Sequence, residues 1–235
     1  MKLSIIICVY NEVGTIIELV HKVLSQKLSY DLEKEIIIID NNSQDGTKLK
    51  LKHLEKHKEI KVIYQKKNMG KGNSIIQGIK FSTGDLVIFQ DADLEYNPKD
   101  YNNLIKKLII EDLDAVYGSR VLNNKKYHRY KLNEKVVILY TKLINFLYKT
   151  NFTDSATNYK LIRAPILKKF KLISKSFAID FEITINLGIH KCKCAELPID
   201  YNPRSYAEGK KINYLDAIKS LLIIFYYFLN YRKKE

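Results

Sequence analysis

Short apolar runs alternate with helical patterns along the first 120 residues of the chain. The runs are continuous and rich in Ile and Val, as expected of strands that are buried on both faces. They cover residues 3–9, 35–39, 61–64, 86–89 and 114–117. Apolar residues recur at helical spacing at 16–24, 49–57, 74–81 and 101–110. This alternation predicts an α/β fold with a mostly parallel central sheet flanked by helices.

The pattern changes after residue 120, where a basic, turn-rich stretch covers 121–135. The elements predicted beyond it are helices at 136–148, 177–187 and 214–231, a strand at 193–201 and a polar loop at 202–211. No linker is long enough to separate domains. We therefore predict a single domain over 1–212, followed by a C-terminal amphipathic helix and basic tail over 213–235.

The composition is that of a folded chain with an excess of positive charge. The 235 residues are 46% hydrophobic and 28% charged, which is far from the composition of disordered chains. Lys and Arg number 40 against 26 Asp and Glu, for a net charge of +14. This excess fits either solvated surface lysines or an anionic partner. Three cysteines, an odd number, exclude a disulfide scaffold and favour a reducing compartment.

Two aromatic-rich apolar segments, 136–148 and 215–229, are bordered by Lys and Arg. Neither reaches the ~18 apolar residues that a membrane-spanning helix needs, so we expect a soluble or surface-bound protein. Each segment fits a core helix or a helix that lies in a membrane interface. The nine unbroken apolar residues of 221–229 cover more than one helix face and favour lipid or a partner. We predict peripheral binding to the cytoplasmic face of a membrane.

Polar residues follow four of the predicted strands, at 10–12, 40–47, 91–95 and 118–120. The carboxyl ends of parallel strands share one edge of a sheet, which is where ligands bind in such folds. Asn, Asp, Gly and Ser are ordinary turn formers and explain much of the second cluster. They do not explain three acids in five residues, Asp91, Asp93 and Glu95, directly after a wholly apolar strand.

The three acids alternate along the chain, so an extended backbone would place them on one side. Converging carboxylates repel one another unless a cation relieves the repulsion. Mg²⁺ and Mn²⁺ prefer oxygen ligands, and Mg²⁺ usually binds one or two carboxylates together with substrate phosphates. We therefore predict a divalent metal site at Asp91, Asp93 and Glu95, serving a phosphate-bearing substrate.

Other patterns carry less information. The segment 66–72 is not a P-loop, because Gly72 follows Lys71 where Ser or Thr is required. It fits a diphosphate contact at a helix N-terminus or a surface turn equally well. His53 and His57 fit a solvated helix face, and Cys192 and Cys194 lack partners for a metal quartet. Nucleic-acid-binding motifs are absent from the sequence, so no nucleic-acid partner is expected.

Taken together and in order, these motifs resemble glycosyltransferase family 2. Within that family the similarity is to the polyprenyl-phosphate sugar transferases related to dolichyl-phosphate mannose synthase. The motifs that carry the resemblance are Val9-Tyr10-Asn11-Glu12, 40–47, 68–72, Asp91-Ala92-Asp93-Leu94-Glu95, 118–120, 154–155 with 159–160, 177–184, and 203–204 with 208–212. They span nearly the whole chain.

The resemblance implies a GT-A fold and metal-dependent, inverting transfer of a sugar from a nucleoside-diphosphate sugar. It implies that the donor is bound by Val9, Tyr10, Asn11, Glu12, Asp40, Asn41, Lys71, Gly72, Asp91 and Ala92. It assigns Mg²⁺ or Mn²⁺ to Asp91 and Asp93, with Glu95 as an additional ligand. Arg120 would lie near the acceptor or the diphosphate, and Arg204 would neutralise the leaving diphosphate. The metal would offset charge as the diphosphate departs.

The expected acceptor is a polyprenyl phosphate; the alternative is a glycan hydroxyl in surface polysaccharide or glycolipid assembly. A hydroxyl needs a catalytic base, whereas a lipid phosphate is already an anionic nucleophile. Asp180 and Glu182 lie where many family members have their base, and a structural role for them is equally compatible with the sequence. Asp40-Asn41 replaces the Asp-Asp pair of many relatives, which leaves the donor nucleobase open. Glu95 stands where the mannose synthases have Gln, and its charge bears on metal preference.

Overall fold

The computed structural model describes residues 1–122, 130–205, 208–209, 211 and 214–232. Residues 125–129 of the basic stretch, Lys210 of the polar loop, Ile212 and the tail at 233–235 lie outside the described residues.

Seven strands and eight α-helices make up the described chain. The strands are β1 (Lys2–Val9), β2 (Glu33–Asp40), β3 (Ile60–Tyr64), β4 (Leu86–Asp91), β5 (Ala115–Ser119), β6 (Lys160–Arg163) and β7 (Cys194–Pro198). The helices are α1 (Ile16–Ser25), α2 (Thr47–Leu54), α3 (Lys71–Phe81), α4 (Tyr101–Ile110), α5 (Lys131–Tyr148), α6 (Ala164–Leu167), α7 (Ile179–Ile189) and α8 (Tyr214–Arg232).

The strands form one sheet in the order β3-β2-β1-β4-β6-β5-β7, and every pairing except those of β6 is parallel. The register aligns Val9 with Asp40 and Cys8 with Asp91. The carboxyl ends of β1, β2 and β4 therefore meet at one edge of the sheet, as the sequence predicts. The predicted α/β class and mostly parallel sheet are confirmed.

Strand β6 is absent from the sequence-based prediction. It has four residues and runs antiparallel between β4 and β5. Four residues are too few for a periodic signal, and the strand begins with Lys160, a residue type that is rarely buried. Its place in the sheet depends on long-range pairing with Leu86 and Ala115.

Helices pack against both faces of the sheet. Successive residues of β1 point to opposite faces, so that Ile5 and Ile7 join a core with α1 and α4 while Ile6 joins α3 and α7 on the other side. Helices of this kind fold because one apolar face covers the sheet. The sheet is thus buried on both faces, as its continuous Ile and Val runs predict.

Helices α5 and α8 pack on α7 and form a third core with Ile144, Phe181 and Ile224. The hydroxyl of Tyr148 donates to the carbonyl of Ile224 at 2.5 Å and ties the two helices together. Each of the two helices also keeps an exposed apolar side. Within the described part of the chain, no helix has the length and apolar character needed to cross a membrane.

Candidate active site

A cavity of about 1060 Å³ opens at the carboxyl ends of β1, β2 and β4. Twelve residues predicted for the site line it: Val9, Tyr10, Glu12, Asn41, Lys71, Asp91, Ala92, Asp93, Glu95, Arg120, Asp180 and Arg204. Four others, Asn11, Asp40, Gly72 and Glu182, are not part of its lining. The structure therefore brings together residues that are up to two hundred positions apart in the chain.

The acidic segment does not continue as an extended strand. Strand β4 ends at Asp91, and the chain then turns, with Leu94 in the left-handed region at φ 63°. The Asp93 carboxylate accepts a hydrogen bond from the Glu95 amide at 3.1 Å, which closes the turn. The prediction that alternation places the three carboxylates on one side of an extended backbone is wrong, because the short Asp93 side chain bonds its own backbone instead.

Arg204 lies among three carboxylates. Its guanidinium contacts Asp93 at 2.9 Å and Glu12 at 3.1 Å, and its backbone amide donates to Glu95 at 2.9 Å. Glu95 also accepts a hydrogen bond from the Tyr201 hydroxyl. The loop that follows β7 thus supplies the positive charge that balances the acidic turn.

The pKa values of Asp91 and Asp93, at the end of β4, are raised. Burial, followed by the charges of Asp91 and Glu95, raises the pKa of Asp93 to about 7, although Arg204 opposes the rise. Burial and the neighbouring carboxylates raise the pKa of Asp91 as well, against the lowering effect of Lys71. A bound cation would relieve the repulsion between these buried like charges.

The described residues contain no group of three or more His, Cys, Asp and Glu side chains that could hold a metal ion. The predicted ligand set of Asp91, Asp93 and Glu95 is therefore not one preformed cluster. The turn at Ala92–Glu95 directs Glu95 towards Tyr201 and Arg204, whereas Asp91 faces Lys71.

Lys71, the first residue of α3, lies between two acids. Its ammonium is 3.3 Å from Asp91 and 3.2 Å from Asp180. Asp180 comes from α7, and its second oxygen lies 4.0 Å from the buried ammonium of Lys160. The four side chains form a row of alternating charge at the wall of the cavity, which we call the Asp91–Lys160 row.

Gly72 has a packing role. A Cβ atom there would lie 2.2 Å from the Ser174 carbonyl oxygen, and the Gly72 amide donates to the Lys175 carbonyl at 3.1 Å. Gly70 has φ 87°, and a Cβ atom there would lie 2.1 Å from the same Lys175 oxygen. The two glycines let the start of α3 approach the segment 174–175.

The turn after β2 supports the site from behind. Asp40 is fully buried and accepts hydrogen bonds from the Ser43 amide at 3.2 Å. Asn11, at φ 50°, accepts from the Gln44 amide at 2.8 Å. Asn41 faces the cavity, donates to Asn68 at 2.9 Å and accepts from the Met69 amide at 2.7 Å. The Asn41 side chain thus donates one hydrogen bond and accepts another, whereas an ionised carboxylate in its place could only accept.

Arg120 is buried at the end of β5 and forms a bidentate pair with Asp154, at 2.7 and 2.8 Å. Its guanidinium carbon also lies 5.1 Å from the centre of the Tyr201 ring. Such a pair fixes the plane of the guanidinium group. Arg120 therefore meets the cavity as a rigid positive group.

Glu182 lies away from the cavity lining. Its carboxylate accepts hydrogen bonds from the Ile173 amide at 2.7 Å, the Ser174 amide at 2.9 Å and the Tyr227 hydroxyl at 2.6 Å. Burial raises its pKa, and these hydrogen bonds oppose the rise. Glu182 joins α7 to the segment 173–174 and to α8, whereas Asp180 faces the cavity.

The far end of the cavity lies between α5, α7 and α8 and is lined mainly by apolar residues, with Asn133, Asp216 and Lys219 among them. Residues on its walls include Leu132, Val136, Val137, Tyr140, Phe181, Leu222, Ile223 and Tyr226. Leu132, Leu222 and Tyr226 are also exposed, at 73%, 64% and 49%. The apolar end of the cavity therefore opens onto the exposed sides of α5 and α8.

Sequence reasoning missed several side chains that shape the site. These side chains are Asp154, Lys160 and Tyr201. No recognisable sequence pattern for a functional site surrounds them, and they contact residues that are distant in the sequence: Tyr201 and Glu95 are 106 positions apart. The only signal was the resemblance, whose motifs at 154–155 and 159–160 include two of them. Long-range pairing of this kind follows from the topology.

The chain belongs to glycosyl transferase family 2: the model of that family matches residues 4–171. It is therefore a glycosyltransferase, and its fold is GT-A. A chain of glucosyl-3-phosphoglycerate synthase from Mycobacterium tuberculosis, crystallised with Mn²⁺, UDP and phosphoglyceric acid, superimposes with a TM-score of 0.73 at 16% identity. The match covers 97% of this chain and 78% of that one.

Three curated relatives extend the comparison. An uncharacterized protein of Methanocaldococcus jannaschii is 30% identical over 83% of this chain and 91% of its own length. Dolichol-phosphate mannosyltransferase of Pyrococcus furiosus is 28% identical over 89% of this chain. Dodecaprenyl-phosphate galacturonate synthase of Rhizobium johnstonii is 25% identical over 74%. This chain spans 59% and 52% of the lengths of the last two.

Proposed function

We propose that the protein transfers a sugar from a nucleoside-diphosphate sugar to a polyprenyl phosphate, with inversion at the sugar carbon. The observation that carries this proposal is the two-ended cavity. Its charged end, at Asp93, Arg204 and Lys71, suits a diphosphate, and its apolar end, between α5 and α8, suits a hydrocarbon chain. Two relatives bear the names of enzymes that act on dolichol phosphate and dodecaprenyl phosphate, which supports the same acceptor class.

The donor end is built from the residues that the resemblance implies. Val9, Tyr10 and Asn41 form the wall on which the nucleoside would lie, with Asn11 and Asp40 holding that wall from behind. Lys71 and Arg204 would meet the diphosphate. Gly72 contributes by allowing α3 to begin where it does.

Asp91 and Asp93 fit a divalent cation. Burial and the nearby carboxylates raise the pKa of Asp93, and a hard cation would relieve that repulsion with oxygen ligands. When bound, Mg²⁺ or Mn²⁺ would offset negative charge on the departing nucleoside diphosphate. Glu95 is engaged by Tyr201 and Arg204, so we assign it chiefly to holding Arg204 in place.

The transfer itself needs no proton removed. An oxygen of the acceptor phosphate forms a bond to the anomeric carbon as the bond from that carbon to the diphosphate breaks, and the electron pair leaves with the diphosphate. Arg204 would stabilise this leaving charge, and the rigid Arg120 would hold the acceptor phosphate. Asp180 is ion-paired to Lys71, so we assign it to positioning rather than to general base catalysis. Glu182 has a structural role in the same proposal.

The exposed apolar sides of α5 and α8 form two stripes. Leu132, Leu139 and Phe146 recur every seven residues on α5, and Leu215, Ile218, Leu222, Phe225 and Leu229 recur at three and four on α8. Exposed lysines flank these stripes at 131, 135, 142, 149 and 219. We propose that both stripes lie on an anionic bilayer at the cytoplasmic face of a membrane. In this proposal 1–212 is the transferase domain and 213–235 belongs to the membrane-facing part.

A partition assay tests the acceptor. The purified protein is incubated with radiolabelled nucleotide sugars, Mg²⁺ or Mn²⁺, and dolichyl or undecaprenyl phosphate. We expect label in an organic-soluble lipid from which mild acid releases the sugar. Label that enters only water-soluble glycan would instead support transfer to a hydroxyl and overturn the proposed acceptor.

The variant Asp93→Asn tests the site in the same assay. We expect transfer to fall at least about 100-fold while the fold persists, because the amide loses the charge that meets the cation and Arg204. Asp112→Asn is the matched control, since Asp112 is 86% exposed and lies at φ 45°, which Asn tolerates. Equal transfer by both variants would show that Asp93 is not part of the active site.

A further inference from the structure

Lys160 is a fully buried lysine on β6 with no surface role. Its side chain has 0% exposure, and its ammonium donates to the carbonyls of Ser155, at 3.2 Å, and Thr157. It also lies 4.8 Å from the centre of the Tyr117 ring. Buried ammonium groups are costly, and buried ion pairs that are replaced as a whole by apolar residues often leave a protein equally or more stable. A lysine at such a position points to a role beyond packing.

The neighbour that gives Lys160 a role is Asp180. One Asp180 oxygen binds the Lys71 ammonium at 3.2 Å. The other oxygen is buried, has no hydrogen-bond partner among the described residues, and faces the Lys160 ammonium at 4.0 Å. Two ammonium groups thus offset the negative charge of Asp180: that of Lys71 at the cavity wall and that of Lys160 in the interior.

The Asp91–Lys160 row is neutral as a whole, with two carboxylates and two ammonium groups. Burial lowers the pKa of Lys160 to about 8 although Asp180 raises it, so the group carries its charge at neutral pH. Without this charge, Asp180 would hold Lys71 more tightly, and the wall of the cavity would carry one more net negative charge. Both changes oppose the binding of an anion beside Lys71.

We propose that Lys160 is a positioning residue for the donor: acting through Asp180, its buried ammonium keeps Lys71 at the cavity wall and available to the diphosphate. The inference rests on the proposed function, because it takes a nucleoside diphosphate as the ligand. Lys160 does not itself touch the ligand. Its ammonium offsets the charge of Asp180, which binds Lys71, and Lys71 is the residue that would touch the ligand.

The test is binding, measured by titration calorimetry with UDP, GDP, CDP and dTDP in the presence of Mn²⁺. Lys160→Met should weaken the binding of the nucleotide that the wild type prefers by about tenfold, the effect of removing one nearby charge in a partly buried site. Lys34→Met is the matched control. The Lys34 ammonium donates to backbone carbonyls of Val23, Leu24 and Gln26, away from the cavity.

A double-variant cycle separates positioning from packing. Asp180→Asn removes the charge through which Lys160 acts, so adding Lys160→Met to it should weaken binding little further. Melting temperatures of all variants report folding. If Lys160→Met does not fold, Lys160→Gln carries the test, because it removes the charge and keeps an amide that can donate to the carbonyls of Ser155 and Thr157. It should raise KM for the donor more than it lowers kcat, because it disturbs the binding of the diphosphate.

The outcomes distinguish the two proposals. A wild-type protein that binds none of the nucleotides overturns the proposed function and this inference with it. Wild-type binding that Lys160→Met and Lys34→Met leave equally unchanged overturns the inference alone. Fully additive losses in the double variant would also overturn it, since Lys160 would then act independently of Asp180.

Discussion

At the scale of single residues, the pKa of a carboxyl group is shifted in opposite directions at the two ends of the sheet. Asp93, at the carboxyl ends of the strands, has its pKa raised to about 7 by burial and by neighbouring acids. Glu35, at the other end, accepts hydrogen bonds from the Ser4 hydroxyl, the Thr83 amide at 2.6 Å and the Gly84 amide at 3.0 Å. A cation would stabilise the ionised form of Asp93, whereas the carboxylate of Glu35 is already stabilised by its hydrogen bonds.

The lowered pKa of Glu35 makes the free energy of unfolding depend on pH. Burial acts to raise its pKa, but hydrogen bonds from Ser4 and Thr83 lower it from 4.5 to about 2. A folded-state pKa below the unfolded value contributes stability that is present above about pH 4.5 and lost as the pH falls towards 2. The full shift corresponds to about 3 kcal/mol, and we expect about half of that, since the carboxylate keeps some contact with water.

Urea unfolding of the wild type and Glu35→Gln between pH 5 and pH 2.5 measures this contribution. The wild type should lose more free energy of unfolding over this range than the variant. Glu18→Gln is the control, because Glu18 is 58% exposed and, among the residues that the structure describes, pairs only with Lys22 in its own helix. Parallel curves for the wild type and Glu35→Gln would contradict the assignment.

At the scale of elements, helix α3 begins where two glycines allow it to meet another segment. The sequence at 66–72 leaves a diphosphate loop and a surface turn equally open. The structure reports a third role, since Gly70 and Gly72 contact the backbone of 174–175. That contact sets Lys71, the residue between them, at the cavity wall.

Gly72→Ala should therefore lower the free energy of unfolding by about 2 kcal/mol, because its Cβ would lie 2.2 Å from the Ser174 carbonyl oxygen. Gly14→Ala is the matched control, since its Cβ would meet nothing within 4 Å. We expect it to change stability by less than about 0.5 kcal/mol. Thermal and urea unfolding measure both. Equal stability of the two variants would show that the segment 174–175 yields to the added methyl group.

At the scale of the whole molecule, the apolar stripes and the cavity belong to one surface. The stripes lie on α5 and α8, and the apolar end of the cavity opens between them at Leu132 and Leu222. A lipid acceptor in a bilayer would reach the charged end of the cavity from this side. The two proposals, acceptor and membrane, therefore depend on the same pair of helices.

Flotation with anionic vesicles tests the membrane surface. Phe146→Asp should reduce the vesicle-bound fraction by about tenfold or more, because it replaces an inserted ring by a charge. Ile110→Asp is the matched control: Ile110 is 74% exposed and Phe146 is 73% exposed, but Ile110 ends α4 on the other face of the sheet. Equal flotation of the two variants would remove the α5 stripe from the membrane surface.

The sequence by itself determined the strands and helices of the first 120 residues and the edge at which the site lies. These features rest on local periodicity and on the rule that parallel strands end together. Only the tertiary structure decided which residues share the site. Asp93 bonds its own turn, Glu95 meets Tyr201 from 106 positions away, and Asp180 faces the cavity while Glu182 does not. Such choices depend on long-range packing and on competition among buried charges, and no local pattern records either.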